Sequence, residues 1–111
     1  MIGEDDKIDV IGEDDNEIVL AISDHWSWDG SDGIPEETHV YKLQDKLNSY
    51  LSYIESGEIS EKYDIEGKKI IIEIYNKYPF SQLAEDFIRK SSEIVKKAGF
   101  ELRANNSLIG Q

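Results

Sequence analysis

The sequence contains no cysteine among its 111 residues, and this absence excludes several kinds of chemistry. Disulfide bonds, thiolate metal sites and a thiol nucleophile all require cysteine. A secreted domain of this size more often depends on disulfide bonds to supplement its small core. We therefore expect a single cytoplasmic domain that folds on its hydrophobic core alone.

Long apolar runs are also missing. The run Ile70-Ile71-Ile72 ends at Glu73, whereas a membrane-spanning helix needs about 20 predominantly apolar residues. The segment Met1 to Asp6 lacks the basic and apolar regions of a signal peptide. We expect neither a membrane-embedded segment nor a membrane partner.

Basic residues are nearly absent from the first part of the chain. Lys7 is the single base within residues 1–40, whereas 13 of the 24 acidic residues lie there. The rest of the chain is neutral overall, so the net charge of −12 arises entirely in the first part. Nucleic-acid binding needs clustered Lys and Arg and is not expected. A basic protein partner is favoured, while the alternative is that acidity only keeps a small protein soluble.

Apolar patterns predict three or four strands and two helices. Alternating or continuous apolar residues predict strands at 7–11, 17–23 and 69–76, and a short strand at 100–103. Helical spacing and capping residues predict helices from Pro35 to Gly57 and from Ser81 to Gly99.

The order of these elements is β-β-α-β-α, with or without a final β. It predicts an α+β fold in which one three- or four-stranded sheet has both helices packed on one face. Residues 7–103 would form the domain. Residues 1–6 would be a frayed acidic start and residues 104–111 a loose tail.

The segment between the second strand and the first helix holds the residues best suited to recognition. Tryptophan beside charged residues is typical of protein-binding hot spots. The alternative is that tryptophan closes the core, and we expect at least one of Trp26 and Trp28 to be buried. The residues predicted to contact a partner are Asp24, His25, Trp26, Trp28, Asp29, Asp32, Glu36 and Glu37. Asp14 and Asp15 would form an acidic rim around them.

Patterns for metal binding are weak. The run from Asp29 to Gly33 resembles part of a calcium loop but lacks the spacing and flanking helices of one, and turn chemistry explains it. His25 and His39 could hold a metal with a carboxylate if the loop folded back. The alternative is that His39 hydrogen-bonds to a backbone carbonyl or to Asp24 and fixes the loop against the helix.

Patterns for catalysis are weaker still. The sequence has no Gly-x-Ser-x-Gly motif and no glycine-rich phosphate-binding motif. Its paired carboxylates lie in runs that solvent would surround, where nothing raises a pKa. We therefore expect no catalytic residue, no metal and no cofactor.

The segment Asp24 to Trp28, followed by Leu43 to Tyr50, forms the most specific pattern in the chain. Together with Ile8 to Ile11, Ile54 to Gly57 and Gly67 to Ile72, it resembles a family of small acidic bacterial proteins of unassigned function. The resemblance covers residues 7–103 and implies no catalytic role. Some members resemble immunity proteins, which are encoded beside toxins.

The resemblance and the charge distribution lead to one hypothesis. The protein would be a non-catalytic immunity protein that binds and neutralises a bacterial toxin, such as a basic nuclease domain, through its acidic first part. One alternative is a general interaction module or accessory subunit that has no toxin partner. Another is a small ligand-binding domain or enzyme. The chain is expected to be a monomer or a weak homodimer.

Overall fold

The structure, a computed structural model, describes residues 8–105 as one sheet with helices between its strands. The strands are β1, Asp9–Glu13; β2, Glu17–Asp24; β3, Lys69–Asn76; and β4, Glu101–Asn105. The helices are α1, Glu36–Glu55; α2, Glu58–Lys62; and α3, Gln82–Lys97. The predicted α+β fold and its order of strands and long helices are confirmed, and α2 is a short additional helix.

The sheet is mixed, with the strand order β1-β2-β3-β4. The first two strands are antiparallel, whereas β2, β3 and β4 are parallel. The chain passes from β2 through α1 to the neighbouring strand β3, and from β3 through α3 to the next strand β4, in the same direction across the sheet. Because such crossovers are right-handed, both helices lie on the same face. Burial agrees, because Leu43 and Leu47 of α1 and Val95 of α3 belong to one hydrophobic core with the inward side of β2 and β3.

The turn between β1 and β2 is built by one aspartate. The Oδ1 atom of Asp14 accepts hydrogen bonds from the backbone N–H groups of Asn16, at 2.7 Å, and Glu17, at 2.9 Å. These bonds lower the pKa of the Asp14 carboxyl. Aspartate favours such turns because its side chain bonds to backbone N–H groups two or three residues on. The predicted hairpin is therefore confirmed, although β1 lies two residues later than predicted.

The inner face of the sheet is formed by paired apolar side chains of β2 and β3. The buried pairs are Ile18–Ile70, Leu20–Ile72 and Ile22–Ile74. The opposite face carries charged groups, among them Glu101, which forms ion pairs with Lys69 at 3.1 Å and with Arg103. The two faces therefore differ as expected for a sheet covered by helices on one side.

The long helix α1 begins after Pro35, with Glu36 and Glu37 in its first turn, where acidic side chains favour the helix dipole. Its buried side is not purely apolar. Tyr50 donates a hydrogen bond from its hydroxyl to the backbone carbonyl of Ala21, which joins the helix to β2. Lys46 is also fully buried, and its Nζ lies 5.6 Å from the centroid of the Tyr50 ring. The apolar pattern of the sequence did not predict a buried lysine here.

The N-terminus of α3 is capped as predicted. The hydroxyl of Ser81 accepts a hydrogen bond of 3.2 Å from the backbone N–H of Ala84. The apolar residues Leu83 and Ile94 of α3 lie outside its buried side, at 42% and 63% exposure. Each of them lies one residue before a buried position, Ala84 or Val95, and is therefore turned by about 100° away from the core.

The end of the domain differs from the prediction. Strand β4 extends to Asn105, and Ala104 pairs with Ile74 in the sheet. Residues 104 and 105 therefore belong to the sheet rather than to a loose tail. The predicted frayed start, residues 1–6, and the remainder of the predicted tail, residues 106–111, lie outside the described residues. Within the described part of the chain, no helix is both long and apolar enough to cross a membrane.

Candidate functional site

The candidate site lies where the parallel strands β2 and β3 end. Asp24 is the last residue of β2, and it pairs in register with Asn76, the last residue of β3. Both side chains are buried, at 0% and 1% exposure. The carbonyl ends of parallel strands are the usual place for binding sites, because the loops that follow them meet there. The loop that joins β2 to α1 begins at this point.

A buried histidine ties this loop to α1. His39 lies in the first turns of α1, and its Nε2 is 2.6 Å from Oδ2 of Asp24. Its Nδ1 is 3.1 Å from the backbone carbonyl oxygen of Ser27. A carbonyl oxygen can only accept, so Nδ1 carries a proton and donates it. The Asp24 carboxyl group is the hydrogen-bond partner of Nε2. This arrangement, which we call the His39–Asp24 latch, was one of the predicted alternatives.

Aromatic rings cover the latch. The Trp28 ring stacks on the His39 ring, with 3.4 Å between centroids and 10° between planes. Trp26 meets the same imidazole edge-on at 5.4 Å, and Phe80 meets Trp28 edge-on at 6.0 Å. The predicted burial of at least one tryptophan is confirmed, because Trp28 is 5% exposed. Its indole Nε1 is buried and makes no hydrogen bond within residues 8–105, so ring contacts are what fix this side chain.

Two exposed aspartates shape the tip of the loop. The carboxylate of Asp32 accepts hydrogen bonds from the backbone N–H groups of Ser27, at 2.7 Å, and Ile34, at 3.3 Å. Asp29 accepts one from the backbone N–H of Ser31, at 2.9 Å. The bond from Ser27 lowers the pKa of Asp32, and the hydroxyl and backbone N–H of Ser31 lower the pKa of Asp29. Both carboxylates are therefore ionised at neutral pH and held in fixed positions.

Glycine permits the turn at this tip. The backbone N–H of Gly33 donates to the carbonyl of Gly30 at 3.0 Å. Both glycines have positive φ angles, 79° and 85°, which other residues rarely adopt. The turn, together with the Asp29 and Asp32 hydrogen bonds, accounts for the glycine and aspartate pattern that resembled a calcium loop. In residues 8–105 no group of three or more His, Asp or Glu side chains is placed to hold a metal ion.

The predicted binding residues divide into exposed and buried ones. His25, Asp29, Asp32 and Glu37 are exposed, and Trp26 and Glu36 are half-buried. Asp24 and Trp28, two of the predicted partner-binding residues, are buried. Both support the loop, since Asp24 shares a hydrogen bond with His39 and the Trp28 ring covers the imidazole.

The two carboxylates predicted as a rim lie elsewhere. Asp14 and Asp15 belong to the turn before β2, whereas the loop follows β2. The eight residues of β2 separate the turn from the loop by roughly 25 Å, at about 3.3 Å per residue. The structure therefore places them at the opposite end of the sheet and does not bring them together with the loop.

A cavity of about 320 Å³ opens beside the loop. It lies between the loop and the segment that joins β3 to α3. Its lining residues are Ser27, Trp28, Asp29, Ser31, Tyr78, Pro79, Phe80 and Ser81. Asn76 orients the second segment, because its Nδ2 donates to the carbonyl of Tyr78 at 2.8 Å. Ser27, Tyr78 and Phe80 are not among the residues predicted from the sequence. The position of Pro79 just beyond a parallel strand was the signal for a loop at this edge.

The latch is not arranged for catalysis. Both nitrogens of His39 are committed to hydrogen bonds, and His39 and Asp24 are both 0% exposed. A general base must reach the proton that it removes, and this imidazole faces no substrate space. The hydroxyl of Ser31 donates to the hydroxyl of Ser27, at 3.2 Å, rather than to an imidazole. The geometry is that of a support for the loop.

Comparison with curated proteins gives no match, and neither does comparison with solved structures. A protein-family model described as a family of unknown function (DUF6572) matches residues 1–107. The match includes the loop, the latch and every element of the sheet. The expectation of a family without an assigned function is therefore confirmed, and the chain belongs to this family, DUF6572.

Proposed function

We propose that this protein is a non-catalytic binding domain that docks a basic protein through the loop after β2 and the start of α1. The observation that carries the proposal is the fixed, ionised state of the Asp29 and Asp32 carboxylates on a loop that the His39–Asp24 latch holds in place. A surface that is ordered before binding loses little entropy on association. Fixed carboxylates also attract a positively charged surface from a distance and speed the encounter.

The start of α1 extends this surface. Glu37 is exposed, and Tyr41, four residues later on the same side of the helix, is 68% exposed. Exposed tyrosine is frequent at the centre of protein interfaces because it offers a large contact area and a hydroxyl. The half-buried Trp26 supplies a second aromatic group on the loop. Aromatic and acidic side chains therefore lie together at this end of the domain.

We further propose that the partner is a bacterial toxin, and that the protein acts as its immunity protein. Two arguments support this: the resemblance to immunity proteins in the sequence, and the acidity of the first part of the chain. Nucleases bind phosphates through basic clefts, and an acidic domain that fills such a cleft blocks access to nucleic acid. A partner without toxicity would instead favour a general interaction module.

The first experiment is co-expression with the gene immediately upstream. A stable stoichiometric complex, together with rescue of cells from the toxicity of that neighbour, is the expected result. A neighbour that is harmless alone and does not co-purify would contradict the immunity proposal.

Charge reversal then locates the interface. The test variant is Asp29→Lys/Glu37→Lys, which changes two exposed acids at the loop end. The control is Asp15→Lys/Glu66→Lys, which makes the same charge change at the opposite end of β2 and β3. We expect the test variant to bind at least tenfold more weakly and with less dependence on salt, because rim charges act mainly on association. Equal effects of both variants would show that only net charge matters, and would move the interface away from the loop.

A further inference from the structure

The cavity beside the loop has the chemistry of a site for a cation. We infer that it receives one arginine side chain of the basic partner, with the guanidinium stacked on the aromatic wall and paired with Asp29. This inference deepens the proposed function and rests on it for the source of the arginine. The volume of about 320 Å³ is at the lower end of the range for small-molecule sites, about 300–1,000 Å³. It suits a single side chain better than a cofactor.

The aromatic wall is the first argument. Trp28, Tyr78 and Phe80 all line the cavity. Trp28 is nearly buried, and His39 already covers one face of its indole. Tyr78 is 39% exposed, so its ring is available at the mouth. Arginine stacks on aromatic rings more readily than other cationic side chains, because its guanidinium is planar and weakly hydrated.

The protein already contains a contact of this kind. The Nζ atom of Lys77 lies 5.5 Å from the centroid of the Tyr78 ring. The ring that lines the mouth of the cavity therefore accepts a positive charge from its own neighbour. A guanidinium from a partner would compete with Lys77 for this ring, and removal of the Lys77 charge should strengthen binding.

The polar groups of the cavity favour a cation over an anion. The Asp29 carboxylate lies on its wall, and the hydrogen bonds from Ser31 keep that carboxylate ionised. At the α3 N-terminus, which could otherwise attract an anion, the backbone N–H of Ala84 is already bonded to the hydroxyl of Ser81. The hydroxyls of Ser27 and Ser31 can accept hydrogen bonds from guanidinium N–H groups.

The test uses the full chain and a defined probe, Nα-acetyl-arginine N-methylamide. The matched control probe is the citrulline analogue, which has the same shape without the charge. Both are titrated into the ¹⁵N-labelled protein, and the indole N–H signal of Trp28 is followed by NMR. We expect the arginine probe to bind with a dissociation constant at least fivefold below that of the citrulline probe. Equal affinity for both probes, or no shift with either, would overturn the inference.

Variants assign the binding to the cavity. Tyr78→Leu removes the aromatic face and should weaken binding of the arginine probe about two- to fivefold, whereas Tyr78→Phe keeps the face and should leave it unchanged. Asp29→Asn should weaken it and reduce its salt dependence, whereas Asp45→Asn, on the outer side of α1, should not. Lys77→Met should strengthen it. If the NMR shifts caused by the arginine probe are the same in Tyr78→Leu and Asp29→Asn as in the parent protein, the probe binds elsewhere and the cavity site is rejected.

The outcomes separate this inference from the proposed function. A toxin complex whose affinity is unaffected by Tyr78→Leu would keep the immunity role and reject the arginine site. Arginine binding in the cavity without any toxin partner would keep the site and reject the immunity role.

Discussion

The imidazole of His39 and the carboxylate of Asp24 share a hydrogen bond of 2.6 Å at a point where neither side chain reaches solvent. The bond joins the end of β2 to the first turns of α1, across the loop that separates them in sequence. This buried polar contact is therefore one of those that fix the position of the loop relative to the sheet.

The stability of the domain should depend strongly on this contact. We expect Asp24→Ala to lower the free energy of unfolding by about 1–3 kcal/mol, because it leaves a buried polar partner unpaired. Asp24→Asn should cost less, since an amide can still bond to a neutral imidazole. Urea denaturation measures both. The control, His25→Gln, changes an exposed histidine of the same loop and should stay within about 0.5 kcal/mol of the parent.

The hydrogen bond from His39 to Ser27 can be observed directly. Because Nδ1 faces a backbone carbonyl oxygen, which can only accept, we expect an Nδ1–H proton that exchanges slowly with water and is visible by ¹H–¹⁵N NMR. His25, which is exposed, should show none. A His39 ring without a protected Nδ1–H would contradict this hydrogen bond.

Acid should destabilise the loop in a defined direction. The pKa of Asp32 in the folded protein is lowered from the ordinary value of 3.8 by the hydrogen bond from Ser27. As the pH falls through 3.8, the unfolded chain binds the proton first. The contribution of Asp32 to stability is therefore complete above this pH and is lost below the folded pKa.

The measurement is the free energy of unfolding between about pH 2 and pH 6, the range over which native carboxylates titrate. Asp32→Asn should make the decline at low pH shallower than in the parent. Asp45→Asn removes one exposed carboxylate outside the loop and corrects for the change in net charge. A decline in Asp32→Asn as steep as that in the Asp45→Asn control would show that the Ser27 hydrogen bond does not act in this way.

The two tryptophans should differ in fluorescence. Trp28 is 5% exposed and lies against His39, whereas Trp26 is half-buried. In Trp26→Phe, the remaining Trp28 should emit at shorter wavelength and resist quenching by acrylamide. In Trp28→Phe, the remaining Trp26 should be quenched readily. The reverse order of quenching would mean that the loop packs the other way round.

The regular elements were predictable from the sequence because their apolar patterns are strong. Strand β3 was predicted at its observed residues, and both long helices were located from their capping and apolar residues. The observed ends of β1 and β4 lie two residues beyond the predicted ends. The hydrogen bonds that extend a strand at the edge of a sheet are not apparent from the amino-acid composition. The burial of Lys46 was not predicted, because lysine is rarely fully buried in folded proteins.

The candidate site was predictable only in part. A hydrogen bond from His39 to Asp24 or to a carbonyl was one of the alternatives, and the structure has both. Which of the two tryptophans is buried was not predictable, since the directions of side chains in an irregular loop follow no sequence period. Asp15 and the loop are far apart because Asp15 precedes β2 and the loop follows it, so the two lie at opposite ends of that strand.

The hydrogen bonds of Asp32 have a consequence for how this domain can diversify. Its carboxylate binds the backbone on both sides of the loop tip, at Ser27 and Ile34, while the latch anchors the base of the same loop. Residues 29–31 are exposed and lie outside the core. Except at Gly30, whose positive φ favours glycine, sequence change at the exposed tip should therefore leave the packing of the core intact.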